Sequence, residues 1–510
     1  MTRPHVLIAA ALCAALVGAC VSATAQVHAA SPANSPARTA IVTRDQTLLR
    51  AAPNISAPAQ TTLWRGDLLE VRGERGEYLQ VWDHHRERGG WVARALVHRA
   101  GGDAGAAQEL LAVLGFVSEQ RESESLGIAL AAAVIEAMPA EQLAGIAGAA
   151  VLDAIGRQAE RLAERANAAR TQDAPALSAH LDSAARHGVR FASRSSADGR
   201  VQLCYDGEAW RRLLALKSAS AEQRARAAVA LSSGACDDAN VHPRQREVDE
   251  RRRAEVLERI AADEEVTLSP LWRNRLAMRR AVVLANLAFL GARKGDAAAA
   301  HRSATSALAE FTRVQRGELF DDDLQRHTEA ALQVNAVRWA ADAGPAAAGA
   351  TTLAIATSIA ADGQTCVALF DTRWEDGQPL AQRCTWGLVW SASASVSREG
   401  HTLALAVQPT AGWRELWLFR RKGKAWTVNV LPPAAAAPGI GYAEFAGWVP
   451  GGQQVLVARE AVAEGRTLRR FEVLRLDSLA VERQHSEPAQ LGAFNRWGDA
   501  AWRRGTVALR

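Results

Sequence analysis

The sequence predicts a multidomain α+β chain: a small N-terminal β-barrel, an alanine-rich helical domain and a C-terminal all-β domain. Three observations carry this expectation. Residues 41–99 alternate apolar and polar side chains with a period of two, between Gly, Pro and charged turns. Residues 105–342 change to a period of 3.6, with alanine dominant. Beyond residues 343–350, which read as a linker, strand patterns return and nine of the 15 Trp are found there, so residues 351–510 form a separate Trp-rich unit.

The bulk properties set bounds first. At 510 residues the chain is long enough for several domains, and 48% hydrophobic with 23% charged residues is a globular composition. A net charge of +5 is small for this length, so no strong polyanion partner is implied. The basic side chains are almost all Arg, and no basic face interleaved with aromatics appears, so no nucleic acid is expected.

Residues 1–25 read as an export signal: Arg3 supplies the basic start and residues 6–17 the apolar core. Two exits stay open. Ala23-Thr24-Ala25 is a small-x-small cleavage site, while Val17-Gly18-Ala19-Cys20 resembles a lipoprotein box and implies a lipid on Cys20. Either exit makes the mature chain periplasmic or secreted; the second anchors it to the outer membrane, its only expected membrane contact. The apolar run is short of the ~20 residues a span needs. Residues 26–40, rich in Ala, Ser and Pro, read as a tether.

The barrel stretch opens with Thr47-Leu48-Leu49-Arg50 and continues through Thr62-Leu63-Trp64-Arg65-Gly66-Asp67-Leu68-Leu69-Glu70-Val71. It closes with Tyr78-Leu79-Gln80-Val81-Trp82 and Gly90-Trp91-Val92-Ala93. Leu63, Leu68, Val71, Leu79, Val81, Trp91 and Val92 are the expected interior of a closed sheet of about 55 residues, a size at which closure removes exposed edges. Gly66 marks a tight turn and Gly89-Gly90 a turn or bulge. These runs resemble the bacterial Src-homology-3-like domain, a small barrel of cell-envelope proteins. Leu48 and Ala52 stand where that family usually carries Asn and Gly around the opening Arg. The resemblance implies peptidoglycan or an envelope protein as the partner. Trp82, His84, His85, Arg86 and Trp91 are the candidate contact residues, because aromatic and planar cationic groups favour recognition sites.

In the helical domain, Ser220 with Gln223 spells a capping box, and Ser269-Pro270 a cap followed by a first-turn proline. Pro139 is placed in the first turn of a helix running towards Arg170. Phe320-Asp321-Asp322-Asp323-Leu324 reads as a helix start. Glu247/Arg251 and Glu255/Arg259 pair charges four residues apart on a solvated helix. Residues 285–308 are similar to a tetratricopeptide helix pair, read here as a packed helical hairpin. A β-hairpin near residues 189–204 interrupts the helices.

The C-terminal unit repeats a glycine turn followed by an apolar strand, at Asp362-Gly363, Glu399-Gly400, Gly451-Gly452 and Arg504-Gly505. Its spacings of about 37, 52 and 53 residues resemble β-propeller blades. The pattern predicts either a propeller-like domain or a β-sandwich.

Four cysteines follow Cys13 and Cys20. An even count in an oxidising compartment predicts two disulfides, and the pairs Cys204–Cys236 and Cys366–Cys384 each stay within one domain. No motif for chemistry stands out. None of the four Lys completes a phosphate loop, and no Gly-x-Ser-x-Gly, Ser-x-x-Lys or His-Glu-x-x-His occurs. Neither metal nor cofactor is expected. Glu122-Ser123 resembles the Glu-Ser start of lytic transglycosylases, but the following segment of that family is missing. The expected role is therefore non-enzymatic: binding peptidoglycan or an envelope partner through the barrel. A periplasmic interaction scaffold using the other two domains, and a cell-wall hydrolase, are the alternatives.

Overall fold

The computed structural model describes residues 39–101, 104–169, 173–195, 199–238, 240–342, 352–373, 377–435, 439–463 and 465–505. The export signal, Cys20, most of the tether, the 343–350 linker and the tip of the hairpin lie outside the described residues.

Seven strands make the N-terminal unit: β1 (Thr39–Val42), β2 (Thr47–Arg50), β3 (Ala59–Leu63), β4 (Leu68–Arg75), β5 (Tyr78–Asp83), β6 (Arg88–Ala93) and β7 (Val97–Ala100). They pair antiparallel in the order β3-β2-β6-β5-β4-β1-β7. The expected barrel is not closed, because β3 and β7 end the path without meeting. Helices do the covering instead. Ile41 of β1 and Ala100 of β7 share an apolar cluster with Leu110 and Leu114 of α1 (Ala104–Ser118) and Leu126 and Leu130 of α2 (Glu124–Ala137). A second cluster, Val42, Leu49, Leu63, Leu69, Leu79, Val81 and Val92, fills the sheet's own concave side. Leu69 rather than Leu68 turns inward; Leu68 is exposed, so the inward alternation in β4 starts one residue later than expected. Trp91 is only half-buried and lies opposite Gln80, an exposed residue of β5, so it belongs to the outer face.

Helices α3 (Ala140–Leu143), α4 (Ile146–Ala168) and α5 (Ala174–Arg186) follow. Pro139 caps only the four-residue α3; the chain breaks at Ala144-Gly145 and restarts as α4, so the single long helix expected there is two. Strands β8 (Phe191–Ser195) and β9 (Val201–Tyr205) form the antiparallel hairpin. Then come α6 (Glu208–Ala215), α7 (Ala221–Leu231), α8 (Pro243–Glu258), α9 (Ala262–Val266), α10 (Pro270–Arg293), α11 (Ala297–Thr312), α12 (Asp321–Ala336) and α13 (Arg338–Ala341). Helix α7 opens on a complete capping box between Ser220 and Gln223. Helices α10 and α11 form a hairpin in which Gly295 takes φ +80° at the turn and Asp296 caps α11 through the amide of Ala299 at 2.9 Å. Among the described residues no helix is long and apolar enough to cross a membrane.

The C-terminal part stacks three antiparallel meanders. Strands β10 (Leu353–Ile359), β11 (Thr365–Asp371) and β12 (Ala381–Thr385) make the first. Strands β13 (Leu388–Val396), β14 (Thr402–Thr410), β15 (Trp413–Lys422) and β16 (Ala425–Leu431) make the second. Strands β17 (Ile440–Val449), β18 (Gln454–Ala463), β19 (Arg466–Arg475) and β20 (Val481–His485) make the third. A short parallel pairing, Trp413 with Gly441 and Arg414 with Tyr442, joins the last two. The middle meander is buried on both faces. Trp417 and Phe419 pack with Val367 and Leu369 on one side, while Leu416 and Leu418 pack with Val455 and Val457 on the other. Its strand β14 is accordingly buried from Thr402 through Gln408, with an unbroken apolar run at residues 403–407 rather than an alternation. Helices α14 (Gly492–Trp497) and α15 (Ala500–Gly505) cover the outer side of the third meander through Phe494 and Trp502. Arg504-Gly505 therefore ends a helix, and the expected fourth turn is not a strand entry; residues 506–509, the strand expected after it, lie outside the described residues. No ring of strands closes among the described residues.

Two disulfides form, Cys204–Cys236 and Cys366–Cys384. The first closes a loop of 32 residues. Replacing both of its cysteines by Ser is expected to lower stability by about 3 kcal/mol, since the bond restricts the unfolded chain. Denaturant titration of the double variant beside the parent checks this.

Candidate functional site

Strand β4 and the turn after β5 build the most featured surface. Glu70 lies directly opposite Trp82 across the two strands, and a bulge between Val71 and Gly73 re-aims the chain there. The Arg72 guanidinium sits 4.5 Å over the Trp82 ring and donates to Glu70 Oε2 at 3.1 Å. His84 Nε2 meets the same carboxylate oxygen at 2.8 Å. The hydrogen bonds from Arg72 and then His84 hold the Glu70 carboxyl below its usual range.

The turn itself is held from beneath. Asp83 is buried and its Oδ1 accepts the amides of His85 and Arg86 at 3.0 and 3.2 Å. Arg86 turns inward: its Nη1 lies 2.7 Å from Asp83 and 3.0 Å from buried Asp67. Its role in the structure is to fix the turn, while His84 and His85 remain exposed. Replacing Arg86 by Ala leaves two buried carboxylates short of a partner, and is expected to cost about 2–3 kcal/mol of stability. A thermal-melt comparison with Arg88→Ala, an exposed neighbour, reads the difference.

Asp67 also reaches across to the helices, accepting from Arg186 Nη2 at 2.5 Å. Beside it runs a second polar chain. Arg165 donates to His180 Nδ1 at 2.6 Å, which leaves Nε2–H of His180 to donate to Asp45 at 2.7 Å. Arg165 also pairs with buried Glu124 at 2.9 Å. Burial alone raises the Asp45 carboxyl, but the bonds from His180 and the Arg65 amide outweigh it and leave it lowered. The backbone closes the joint: Ser125 Oγ donates to the Arg65 carbonyl at 2.8 Å. Gly66 takes φ +89°, and a Cβ there would press on the Ser125 carbonyl and Ser183 Oγ, so this turn requires glycine.

This docking leaves a groove of about 750 Å³ between sheet and helices. Glu70, Arg72, Glu74 and Arg99 line its sheet wall, His84 and His85 its rim. Glu136, Arg186 and His187 come from the ends of α2 and α5. Glu74 is paired with Arg94 and, at 2.9 Å, with Arg99. Burial pushes the His187 imidazole below its ordinary value. Acids and bases thus alternate around the groove.

Of the sequence-derived candidates, His84 and His85 line the groove. Trp82 borders it through Arg72, Arg86 supports it from behind, and Trp91, on the same sheet face as Trp82 by register, is not among the groove-lining residues. Sequence reasoning missed Glu70, Arg72 and Glu74, although their alternation in β4 is readable as a polar face, and Arg99 of β7. It also missed Glu136, Arg186 and His187, which arrive from elements far along the chain and leave no local signal. Glu122 is exposed outside the groove lining, with its carbonyl accepting from Arg65 Nη1 at 2.5 Å. Among the described residues no three His, Cys, Asp or Glu side chains converge as a metal site. Comparison with protein-family models, curated proteins and solved structures finds no match to this chain.

Proposed function

We propose that this is an exported, non-enzymatic cell-envelope protein that binds peptidoglycan or an envelope protein partner through its N-terminal sheet. In this reading the sheet is a Src-homology-3-like unit and the stacked meanders are propeller-like layers that add surface. The observation that carries it is the continuous run from Trp82 through Arg72 and Glu70 into the two-signed groove. Such a surface offers stacking area beside both donors and acceptors, which suits the amide, amine and carboxylate groups of wall peptides or of a protein. The two disulfides agree with an oxidising compartment.

Co-sedimentation with purified sacculi tests the reading on the full chain. Retention is expected for the parent protein and a loss of tenfold or more for Trp82→Ala/His85→Ala, with the melting temperature unchanged. Equal retention of the variant removes this surface as the binding site. No retention of the parent, with capture of a defined envelope protein instead, selects the protein partner.

A further inference from the structure

Strand β10 ends the first meander and pairs with β11 alone, in regular antiparallel register from Leu353–Asp371 to Ile359–Thr365. Two bonds fix the phase of this ladder. The Thr372 amide donates to the Thr352 carbonyl at 2.6 Å, and the Ala360 amide to the Gln364 carbonyl at 2.8 Å. Even-numbered residues of the strand therefore exchange hydrogen bonds with β11. Leu353, Ile355, Thr357 and Ile359 turn their N–H and C=O groups the other way, where none of these groups is bonded among the described residues.

The larger sheets guard their other edges. Strand β7 carries His98 and Arg99, β12 carries Arg383, and β20 carries Glu482, Arg483 and His485. A bulge between Trp390 and Ser395 breaks β13, and the Gln60 carbonyl of β3 is taken by Arg88 Nη1 at 2.7 Å. Strand β16 is half-buried or buried from Trp426 to Leu431. Strand β10 has no charge, no proline and no bulge in 7 residues, and Ala354, Ala356, Thr357, Ser358 and Ile359 are exposed.

We propose that β10 is a self-association edge, pairing antiparallel with β10 of a second copy of this chain about a two-fold axis at Ala356. The strand is complementary to itself. The axis sets Ile355 opposite Thr357 of the other copy, and Leu353 opposite Ile359, so every outward N–H meets an outward C=O. An uncharged strand meets no like charge in its own copy. The side chains agree. Leu353 and Ile355 face the middle meander in the cluster of Val367 and Leu369. Ile359, on the same face and 72% exposed, comes to lie beside the buried Leu353 of the second copy. The first meander then continues across the axis as one sheet. This edge is separate from the sheet groove and stands independently of what the groove binds.

Sedimentation velocity of the full chain over a concentration series tests the edge. A reversible dimer is expected. Thr357→Pro removes an outward N–H without touching the ladder to β11, and Thr357→Lys sets a charge on the edge. Each is expected to weaken the dimer at least tenfold. Oxidation with copper phenanthroline reads the register. Ala356→Cys is expected to give a covalent dimer, because the two copies of this position face each other on the axis. Ala354→Cys, which lies opposite Ser358 of the other copy, is expected to give none. A chain that stays monomeric at every concentration, including one that captures an extended peptide instead, overturns the proposal. So does a dimer that neither Thr357 variant weakens, or a covalent dimer from position 354 with none from 356.

Discussion

Replacing Glu444 by Ala is expected to destabilise the C-terminal layers by about 3–5 kcal/mol, the usual cost of removing one member of a buried ion network. Glu444 of β17 sits between two guanidiniums. It pairs with Arg338 of α13 and, at 3.2 Å, with Arg414 of β15. Arg414 is fully buried, Glu444 is 2% exposed and Arg338 8%, so water cannot take the place of the lost carboxylate. Arg414 also donates to the Asn335 and Ala336 carbonyls, the last of α12, and so caps that helix with a cation at its negative end. The network therefore ties the helical domain to the third meander. Denaturant unfolding followed by tryptophan fluorescence reads the loss. The triple replacement Arg338→Met, Arg414→Met and Glu444→Leu is expected to recover most of it, because apolar packing can substitute for a whole buried network but not for half of one. A loss below about 1 kcal/mol in Glu444→Ala would mean the network is solvated.

The second large effect depends on pH. Burial pushes Glu160 up to about 7, against an ordinary value of 4.5. At pH below that ordinary value both folded and unfolded chains hold the proton, and Glu160 has no influence. Between 4.5 and about 7 the unfolded chain releases it while the folded chain keeps it, so stability falls as pH rises through this window. Above about 7 the loss is complete, at most about 3 kcal/mol. Glu160→Gln keeps an acceptor for the Trp210 indole and removes the titration. The variant is expected to match the parent at pH 4 and exceed it by about 2–3 kcal/mol at pH 8. Parallel stability curves for the two proteins from pH 4 to 8 would contradict this.

Much of the element pattern is legible in the sequence, because it depends on local periodicity and punctuation. The Ser220–Gln223 capping box, the helix start at Asp321 and the glycine turns before β11, β14 and β18 are all set within a few residues. Closure of the N-terminal sheet is a different kind of question. Whether β3 meets β7 depends on what covers the sheet, and here Ile41 and Ala100 are covered by α1 and α2 from outside the stretch. The groove is harder still. Arg186 reaches Asp67 from 119 positions away, and His180 reaches Asp45 from 135. Such pairings are invisible to a reading that moves along the chain. Arg86 illustrates the converse: an exposed-looking loop arginine is claimed by two buried carboxylates that only folding brings together.

In the proposed function the groove-side turn of the sheet, not the helices or the meanders, is expected to touch the partner. Photo-crosslinking from single positions maps this directly. A benzophenone amino acid placed at His85, on the groove rim, is expected to attach the full chain to purified sacculi or to one envelope protein. The same group at Val201, exposed on the β8–β9 hairpin, is expected to give no adduct. Adducts from position 201 with none from position 85 would contradict the claim.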